Sequence, residues 1–354
     1  MRWPFSPGSP GSPGGGFLRR LGPAVRWTAG ALALVVVLPL IAALVFLRGM
    51  YSGPIDAQAH SRGRDAVWLG HAWVDGRHDE TDLAALAARI EGTGIRDVYV
   101  HTGPMEDDGT LPPERHPRAD WLLTAMAERL PRVRVQAWIG NRLAYGDDTS
   151  GLRLADPDDR AGVVATAGRM LDLGFDGVHL NVEAIASGDQ DYLRLLDALA
   201  AQVGGRGGVL SVSAHQIDPL PRMDSVVSAV TGKHKWWSQR YFGQVARRVD
   251  QIAVMSYDGQ TPVESLYGGY VAQQTELALQ VTPEDTELLM GLPFFHNGDL
   301  IHRAETVRAA VRGVRLGLTR EDPRRAAFGV ALYVDYAATA DDWRTYRRHW
   351  GGTG

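Results

Sequence analysis

The chain has 354 residues, of which 45% are hydrophobic and 22% charged, so it has too much apolar surface for a disordered chain and enough for a core of barrel size. Cysteine is absent, which excludes disulfides, thiolate metal sites and cysteine nucleophiles. The 41 acidic and 37 basic residues give a formal net charge of −4, a balance that does not indicate a nucleic-acid partner.

The first 48 residues differ from the rest of the chain in charge. They hold five arginines and no acidic residue, which leaves 32 basic and 41 acidic residues for the remainder. The uncharged run 27–47 would be about 31 Å long as a helix and so match a bilayer core. It is longer than the apolar region of a cleaved signal peptide, and no small-x-small cleavage site follows it. We therefore predict a transmembrane signal anchor over 27–48.

The segments on either side of this anchor have compositions of their own. Residues 1–26 include a Pro/Gly/Ser tract without periodicity, which predicts a disordered cytoplasmic segment. Residues 49–65 are small and polar and are predicted to form a linker. Four of the five arginines precede the anchor, so the positive-inside rule predicts a single-pass protein of the cell membrane with its N-terminus in the cytoplasm and the rest outside.

From residue 66 onward, short β-branched or aromatic runs alternate with longer segments of helical spacing. This pattern over 66–350 predicts a (β/α)₈ TIM barrel in the α/β class. A doubly wound sheet is the alternative, although no Gly-rich phosphate turn follows the first strand. The predicted strands are 66–73, 97–103, 133–140, 177–183, 208–214, 252–258, 287–293 and 328–334, and the clearest predicted helices are 83–90, 158–174, 191–203 and 304–317.

Active sites of this barrel lie at the carboxyl ends of the strands, where polar residues collect in this chain. In the run GVHLNVE, alternation would turn His179, Asn181 and Glu183 into the barrel and the three intervening apolar residues toward the helices. Three polar side chains in a barrel interior are unfavourable unless they serve a site. The alternative is a satisfied hydrogen-bond network inside the barrel.

The segment DGVHLNVE, residues 176–183, resembles the DxxDxDxE strand motif of the glycoside hydrolase family 18 chitinases. Asp176 keeps the first acid and Glu183 the last, whereas His179 and Asn181 replace the two middle acids. The Asn-x-Glu ending is similar to that of the endo-β-N-acetylglucosaminidases of family 85.

Three later strands extend the resemblance to family 18. VMSYD at 254–258 is similar to its Met-x-Tyr-Asp motif, and LMGLPFF to its Gly-Leu-Pro segment. In GVALY, Tyr333 stands where the family usually has a tryptophan under the sugar. The resemblance implies a glycosidase of β-linked N-acetylglucosamine glycans that needs no cofactor and no metal.

Family 18 uses the acetamido oxygen of the substrate as the nucleophile, so the protein needs one proton donor and a group that holds the acetamide. The resemblance assigns the proton to Glu183, which we expect at the bottom of an apolar pocket. Asn181, on the same face, is expected to bond the acetamide, and an amide there favours a neutral oxazoline-like intermediate. By the same resemblance Tyr257 donates to the acetamido oxygen and Asp258 bonds the acetamide or a hydroxyl, while Asp176 is structural.

Further residues at the strand ends suit sugar binding. Trp73, Trp138 and Tyr333 offer flat apolar faces, and His215 offers a polar tip. His179 would either bond Asn181 and titrate near pH 6.5, or be a buried neutral histidine bonded to a neighbouring strand. His71, His101, His215 and His296 come from four strand ends, but their spacing matches no metal motif.

The sequence therefore predicts a membrane-anchored extracytoplasmic glycosidase that acts on an oligosaccharide or polysaccharide substrate by substrate-assisted retaining catalysis. Two other classes stay open: a non-catalytic glycan-binding barrel and a cell-envelope scaffold. Retention of Glu183 argues against the first of these. Chitin-like, peptidoglycan and N-glycan substrates are all compatible with the sequence.

Overall fold

The computed structural model describes residues 23–146, 149–231, 234–257, 259, 261–296 and 302–351, with the backbone alone for residues 23–36, 226, 230 and 231. Contacts divide the chain into two compact units, Met1–Phe46 and Leu47–Gly354. Of the predicted segment 1–26, residues 1–22 lie outside the described residues.

Eight parallel strands of the second unit close into a barrel, which confirms the predicted α/β barrel. Their order around the ring is β1-β2-β3-β4-β5-β8-β9-β10 and back to β1. The barrel strands are β1 (Asp65–Leu69), β2 (Ile95–Pro104), β3 (Arg134–Arg142), β4 (Gly177–Glu183), β5 (Val209–Ala214), β8 (Gln251–Val254), β9 (Glu287–Pro293) and β10 (Phe328–Tyr333). Two short strands, β6 (Gln216–Ile217) and β7 (Trp236–Trp237), pair outside the ring.

Helices follow the strands as the alternation predicts. They are α1 (Pro23–Met50), α2 (Glu80–Ile90), α3 (Ala119–Arg129), α4 (Pro157–Asp172), α5 (Gln190–Gly204), α6 (Met223–Thr231), α7 (Gln239–Ala246), α8 (Glu264–Val281), α9 (Val307–Glu321) and α10 (Ala340–Tyr346). Local sequence explains several starts: the Asp79, Asp156 and Asp189 side chains accept from backbone N–H groups in the first turns of α2, α4 and α5.

The predicted strand bounds 177–183 and 287–293 agree with β4 and β9 at both ends. The first strand is shorter than predicted, because the chain turns at Gly70 into a 3₁₀ turn, His71–Trp73. The strand predicted at 252–258 ends at Val254. Both differences fall at the carboxyl end of the barrel, where the chain leaves the ladder to form the site.

Alternation along β4 sorts its side chains as predicted. Val178, Leu180 and Val182 belong to the core between barrel and helices. A second apolar cluster fills the barrel interior, with Trp68 and Tyr99 as its large members. Small residues on β1, β8, β9 and β10 make room for these rings. They are Ala66, Ala253, Gly291 and Ala331.

Ion pairs close the amino-terminal end of the barrel. Asp97 is fully buried and accepts two hydrogen bonds from the Arg134 guanidinium, at 2.7 and 2.8 Å. Glu287 pairs with Arg96, and Gln251 donates to it at 3.0 Å. These charges are paired and hydrogen-bonded, as buried charges must be. They lie at the opposite end of the strands from Glu183.

The segment 49–65, predicted as a linker, makes specific contacts with α8 and α9. The Tyr51 hydroxyl donates to Glu264 at 2.9 Å, and the Arg312 guanidinium lies 5.1 Å from the centre of the Tyr51 ring. The ring fits there because α8 has Gly268 beneath it, where a Cβ would lie 2.2 Å from a ring carbon. Arg320 donates to the carbonyl oxygens of Met50 and Ser52, each at 2.7 Å.

Helix α1 covers the predicted membrane anchor, but the side chains of residues 23–36 are outside the described part. Across the described portion of the chain, none of the helices combines the length and the apolar character needed to cross a bilayer. Large apolar side chains between Val37 and Phe46 are 46–65% exposed. The anchor over 27–48 stays a prediction.

Candidate functional site

Glu183 and Asn181 stand together at the carboxyl end of β4. The Asn181 amide donates to the Glu183 carboxylate, with 3.1 Å between Nδ2 and Oε1. The Asn181 carbonyl oxygen Oδ1 is buried and has no hydrogen-bond partner. A buried acceptor without a partner is unfavourable by about 1–3 kcal/mol. The pair therefore offers a carboxyl group and a vacant acceptor side by side.

The local backbone explains how this pair is presented. Gly140 of β3 lies beside Asn181, and a Cβ on it would come within 2.1 Å of the backbone carbonyl oxygen of Asn181. Glycine at that position lets the two strands approach closely at the mouth of the barrel. Glu183 itself is exposed. It lies on the open face of the barrel, not at the bottom of an apolar pocket as the sequence suggested.

Two tyrosines form an aromatic floor beside the pair. The rings of Tyr257 and Tyr333 stack at 4.8 Å and 14°. Trp68 lies beneath them, with its ring edge-on to both at 6.5 and 5.6 Å. Burial, Tyr336 and the Glu183 charge together raise the pKa of Tyr333, which places Glu183 within electrostatic reach of the floor.

Trp68 was not recognised from the sequence. It alternates with Ala66 along β1, and this inward spacing of a large ring on a barrel strand is the available signal. It is 1% exposed and touches neither solvent nor the open face directly. Its role is to support the rings above it and to donate to His179.

His179 lies below the site, fully buried. Trp68 Nε1 donates to its Nε2 at 3.0 Å, so Nε2 carries the lone pair, and Nδ1 donates to Ser211 Oγ at 2.7 Å. Tyr99 stacks on the ring at 3.8 Å. This geometry is that of a buried histidine bonded to a neighbouring strand, the second of the two interpretations of His179. The His179 ring has no surface left for a substrate.

Burial lowers the pKa of His179 to about 3. A proton on Nε2 would also face the Trp68 N–H, so the hydrogen-bond directions favour the neutral ring as well. The suggested titration near pH 6.5 is therefore wrong for the folded protein. The ring is a neutral member of a buried run of hydrogen bonds.

This run of hydrogen bonds continues toward the amino-terminal end of the barrel. Ser211 Oγ donates to Gln136 Oε1 at 2.7 Å, and Gln136 Nε2 donates to Asp97 Oδ1 at 2.8 Å. All three residues are fully buried. A continuous run of hydrogen bonds thus joins the floor of the site to the ion pairs below.

A cavity of about 450 Å³ opens on the β10-β1-β2-β3 side of Glu183. Trp138 forms one wall, with the His101 ring 4.7 Å away from its own ring. Burial and the neighbouring His71 lower the pKa of His101 to about 4, so that it is neutral at pH 7. We call this the tryptophan cavity, lined by Gly70, His71, His101, Trp138, Asp335 and Tyr336.

Trp73 does not line this cavity. It is 3% exposed and belongs to the apolar core. Its indole N–H donates to Asp335 at 2.7 Å, and the Gly70 N–H donates to the other oxygen of that carboxylate at 2.9 Å. The indole orients Asp335 at the edge of the cavity, a role that depends on a residue 262 positions away.

The remaining predicted residues occupy different positions. His215 is half-buried, its Nε2 is buried without a partner, and its ring lies 5.2 Å from that of Trp237. Asp176 lies at the other end of β4 and accepts from the Val135 N–H at 2.7 Å, away from Glu183. Asp258 lies outside the described residues. Among described side chains, no group of three histidines or acids is arranged to hold a metal ion.

Comparisons with known proteins bear on the fold. No protein-family model matches the chain, and no curated protein matches its sequence. The structure is similar to a chitinase from Chromobacterium violaceum ATCC 12472, at 13% identity and a TM-score of 0.55, over 80% of this chain and 98% of that one. It is also similar to the spore cortex-lytic enzyme SleL of Bacillus cereus, at 14% identity and 0.55, over 81% of this chain and 74% of that one.

A class V chitinase from Pseudomonas fluorescens Pf-5 is similar at 12% identity and a TM-score of 0.54, over 80% of this chain and 98% of that one. At these identities the likeness shows a shared barrel fold and no more. The fold that the family 18 resemblance implies is thereby supported. The likeness of Asn181-x-Glu183 to family 85 stays a prediction.

The neutral His179 predicts acid lability. Its pKa is about 3 in the folded protein and about 6.5 in an unfolded chain, so the unfolded state binds the proton first as pH falls. Stability from this group is full above pH 6.5 and falls by about 1.4 kcal/mol per pH unit on the way to pH 3. Urea unfolding at pH 7 and pH 5 should show a smaller pH-dependent loss for His179→Gln than for wild type.

The exposed His60 provides the matched control. His60→Gln should lose stability between pH 7 and pH 5 as wild type does. Equal losses for wild type and His179→Gln would show that His179 is not the group whose protonation opposes folding.

Proposed function

We propose that the chain is a glycoside hydrolase that cleaves β-linked N-acetylglucosamine-containing glycans by substrate-assisted retaining catalysis. The observation that carries the proposal is the pair at the end of β4: an exposed Glu183 that accepts from Asn181, whose own buried Oδ1 has no partner. A substrate acetamide N–H is the donor that Oδ1 needs. No second carboxylate is required if the acetamide oxygen is the nucleophile.

The proposed reaction begins with protonation of the leaving-group oxygen by Glu183 as the bond at the anomeric carbon breaks. The acetamido oxygen attacks that carbon and forms an oxazoline-like intermediate. Asn181 holds the acetamide nitrogen, and Tyr257 donates its hydroxyl to the acetamido oxygen. Glu183, now ionised, takes a proton from the water that opens the ring, which returns the original anomeric configuration.

An amide at position 181 shapes this proposal. Asn181 brings no negative charge to compensate a charged oxazolinium, so the intermediate is expected to pass its nitrogen proton to solvent water and be neutral, and to regain a proton from water at that nitrogen when the ring opens. His179 below is neutral as well. Aromatic faces of Tyr333 and Trp138 would contact the CH face of the sugar, with His215 and Asp258 on its polar groups.

We further propose that α1 anchors the barrel outside the cell membrane. The support is the uncharged run 27–47, the arginines before it and the exposed apolar side chains between Val37 and Phe46. This arrangement would hold the enzyme at the cell envelope, close to its glycan.

Replacement of the proposed acid should abolish hydrolysis but not binding. Glu183→Gln keeps the size of the side chain and removes the proton donor, so kcat/KM on N-acetylglucosamine oligomers should fall by at least about 100-fold. Calorimetry should still detect binding. The exposed Glu114 gives the matched control, and Glu114→Gln should leave kcat/KM unchanged.

Hydrolysis by Glu183→Gln at the wild-type rate would overturn the assignment of Glu183. Binding without cleavage by wild type would favour the non-catalytic glycan-binding barrel. Neither binding nor cleavage would favour the envelope scaffold.

Catalysis should also depend on the acetamide of the sugar at the cut. Oligomers with a free amine in place of that one N-acetyl group should not be cleaved, whereas deacetylation elsewhere should be tolerated. Asn181→Leu should lower kcat/KM on the acetylated oligomer by about 10-fold or more, because one hydrogen bond to the reacting group is lost. Undiminished cleavage of the amine at the cut site would indicate a protein nucleophile, with Asp258 the first residue to test.

The membrane proposal predicts the topology of the chain. A protease added to intact cells should digest the barrel and spare only a short N-terminal fragment. Detection with tags at the two termini would distinguish the fragments. Full protection of the barrel in intact cells, with digestion after lysis, would contradict the extracytoplasmic assignment.

A further inference from the structure

A second cavity, of about 490 Å³, lies outside the ring on the β4-β5 side of Glu183. Its lining differs from that of the tryptophan cavity, because it contains no tryptophan, tyrosine or phenylalanine. We call it the serine cavity. Its surface groups are the hydroxyls of Ser187, Ser225, Ser228 and Ser238, together with Arg222 and His234.

The acidic residues of the serine cavity are committed to the protein itself. Asp224 is 4% exposed, accepts from the Lys235 and Trp236 N–H groups at 3.0 and 3.1 Å, and holds His234 Nδ1 at 2.9 Å. Asp218 is 7% exposed and accepts from the Asp224 N–H at 2.8 Å. The hydroxyls of Ser187 and Ser228 donate within the protein, to Ser238 Oγ at 3.1 Å and to the Ser225 carbonyl oxygen at 3.4 Å. What the cavity presents to a ligand is therefore the remaining hydroxyl groups, His234 Nε2 as an acceptor and the guanidinium of Arg222.

Arg222 supplies that guanidinium from an unusual backbone. Its φ of 70° is the only positive φ at a non-glycine position among the described residues. This conformation is unfavourable by about 1 kcal/mol or more for a residue with a Cβ. The side chain is exposed, and no ion pair of the described chain involves it. A glycine would fit the turn without this strain, so Arg222 stands there against the local backbone preference.

His215 connects this cavity with the proposed acid. Burial lowers the pKa of His215, and the charges of Glu183 and Asp224 both oppose that shift. The ring lies 5.2 Å from that of Trp237, whose indole N–H donates to the Ile185 carbonyl oxygen at 2.9 Å, two residues beyond Glu183. Ser187 of the cavity follows Glu183 by four residues, and its hydroxyl donates to that of Ser238 at 3.1 Å, so the cavity is built on the segment that continues the strand bearing Glu183.

We propose that the serine cavity binds a carboxylate carried by the sugar unit on that side of the cut, with Arg222 as the recognising group. This inference rests on the proposed hydrolase function and narrows its substrate to glycans in which N-acetylglucosamine alternates with a carboxylate-bearing amino sugar. Arginine suits a carboxylate because its planar fork offers two parallel donors. Serine hydroxyls serve the neutral oxygens of the same unit.

The test compares two oligosaccharides with the full chain. One is a β-1,4-linked tetrasaccharide in which alternate N-acetylglucosamine units carry a 3-O-lactyl carboxylate, and the other has each carboxylate converted to a methylamide. Wild type should prefer the carboxylate by about 10-fold in kcat/KM, mainly through KM, since a hydrogen bond to a charged group is worth about that factor. Added salt should reduce the preference.

Arg222→Gln should abolish the preference by a larger loss of kcat/KM on the carboxylate than on the methylamide, and Arg222→Lys should restore part of it. The exposed Arg240 of α7 gives the matched control, and Arg240→Gln should keep the wild-type preference. Equal kcat/KM for the two tetrasaccharides in wild type would overturn the proposal. So would an equal loss on both substrates in Arg222→Gln, which would indicate a structural role.

The carboxylate site can be tested even if the protein does not hydrolyse the glycan. Binding of the two tetrasaccharides to Glu183→Gln, measured by calorimetry, reports the preference without any turnover. A preference of about 10-fold in Kd that Arg222→Gln removes supports the carboxylate site, and equal Kd values contradict it. Absence of hydrolysis by wild type, by contrast, contradicts only the proposed catalysis.

Discussion

The hydrogen bond from the Trp68 indole to His179 Nε2 is the interaction on which the site depends. It places the lone pair on Nε2 and the proton on Nδ1, and so sets the direction of each later bond through Ser211 and Gln136 to Asp97. Reversal of one member would leave two donors or two acceptors face to face in a buried interior, an arrangement unfavourable by about 1–3 kcal/mol. Because β4 carries both His179 and Glu183, this run of hydrogen bonds also fixes the strand that presents the Glu183 carboxylate.

The space for these hydrogen-bonded side chains comes from the distribution of large and small residues around the eight strands of the barrel. Trp68 and Tyr99 project from neighbouring strands, while the strands facing them contribute alanines and a glycine. At Gly291 a Cβ would come within 2.9 Å of the Tyr257 ring. The rings of Tyr257 and Tyr333 therefore rest on a filled layer, and close packing below keeps the floor of the site in one conformation.

Alternation and strand-end position were enough to predict the barrel, the inward face of β4 and the presence of Glu183 at the mouth. Partners distant in the chain were not predictable in this way. His179 meets Trp68 across 111 residues, and Trp73 meets Asp335 across 262, so both sites of contact arise from ring closure. Periodicity gives the face on which a residue lies, but not its depth along the barrel axis. His179 was for this reason expected at the substrate, and Glu183 in a pocket.

The charges of the barrel are separated along its axis. Asp97, Arg134 and Glu287 pair at the amino-terminal end, whereas the layer beneath the site holds neutral His179 and Asn181 in the places where the resembled motif has acids. It is physically reasonable that both middle acids of the resembled motif are replaced together by neutral residues. One carboxylate left there without its partner would be an uncompensated buried charge, which is far more unfavourable than two neutral groups. A neutral layer below Glu183 also removes any need for a cation within the barrel mouth, and Arg222 lies outside the ring.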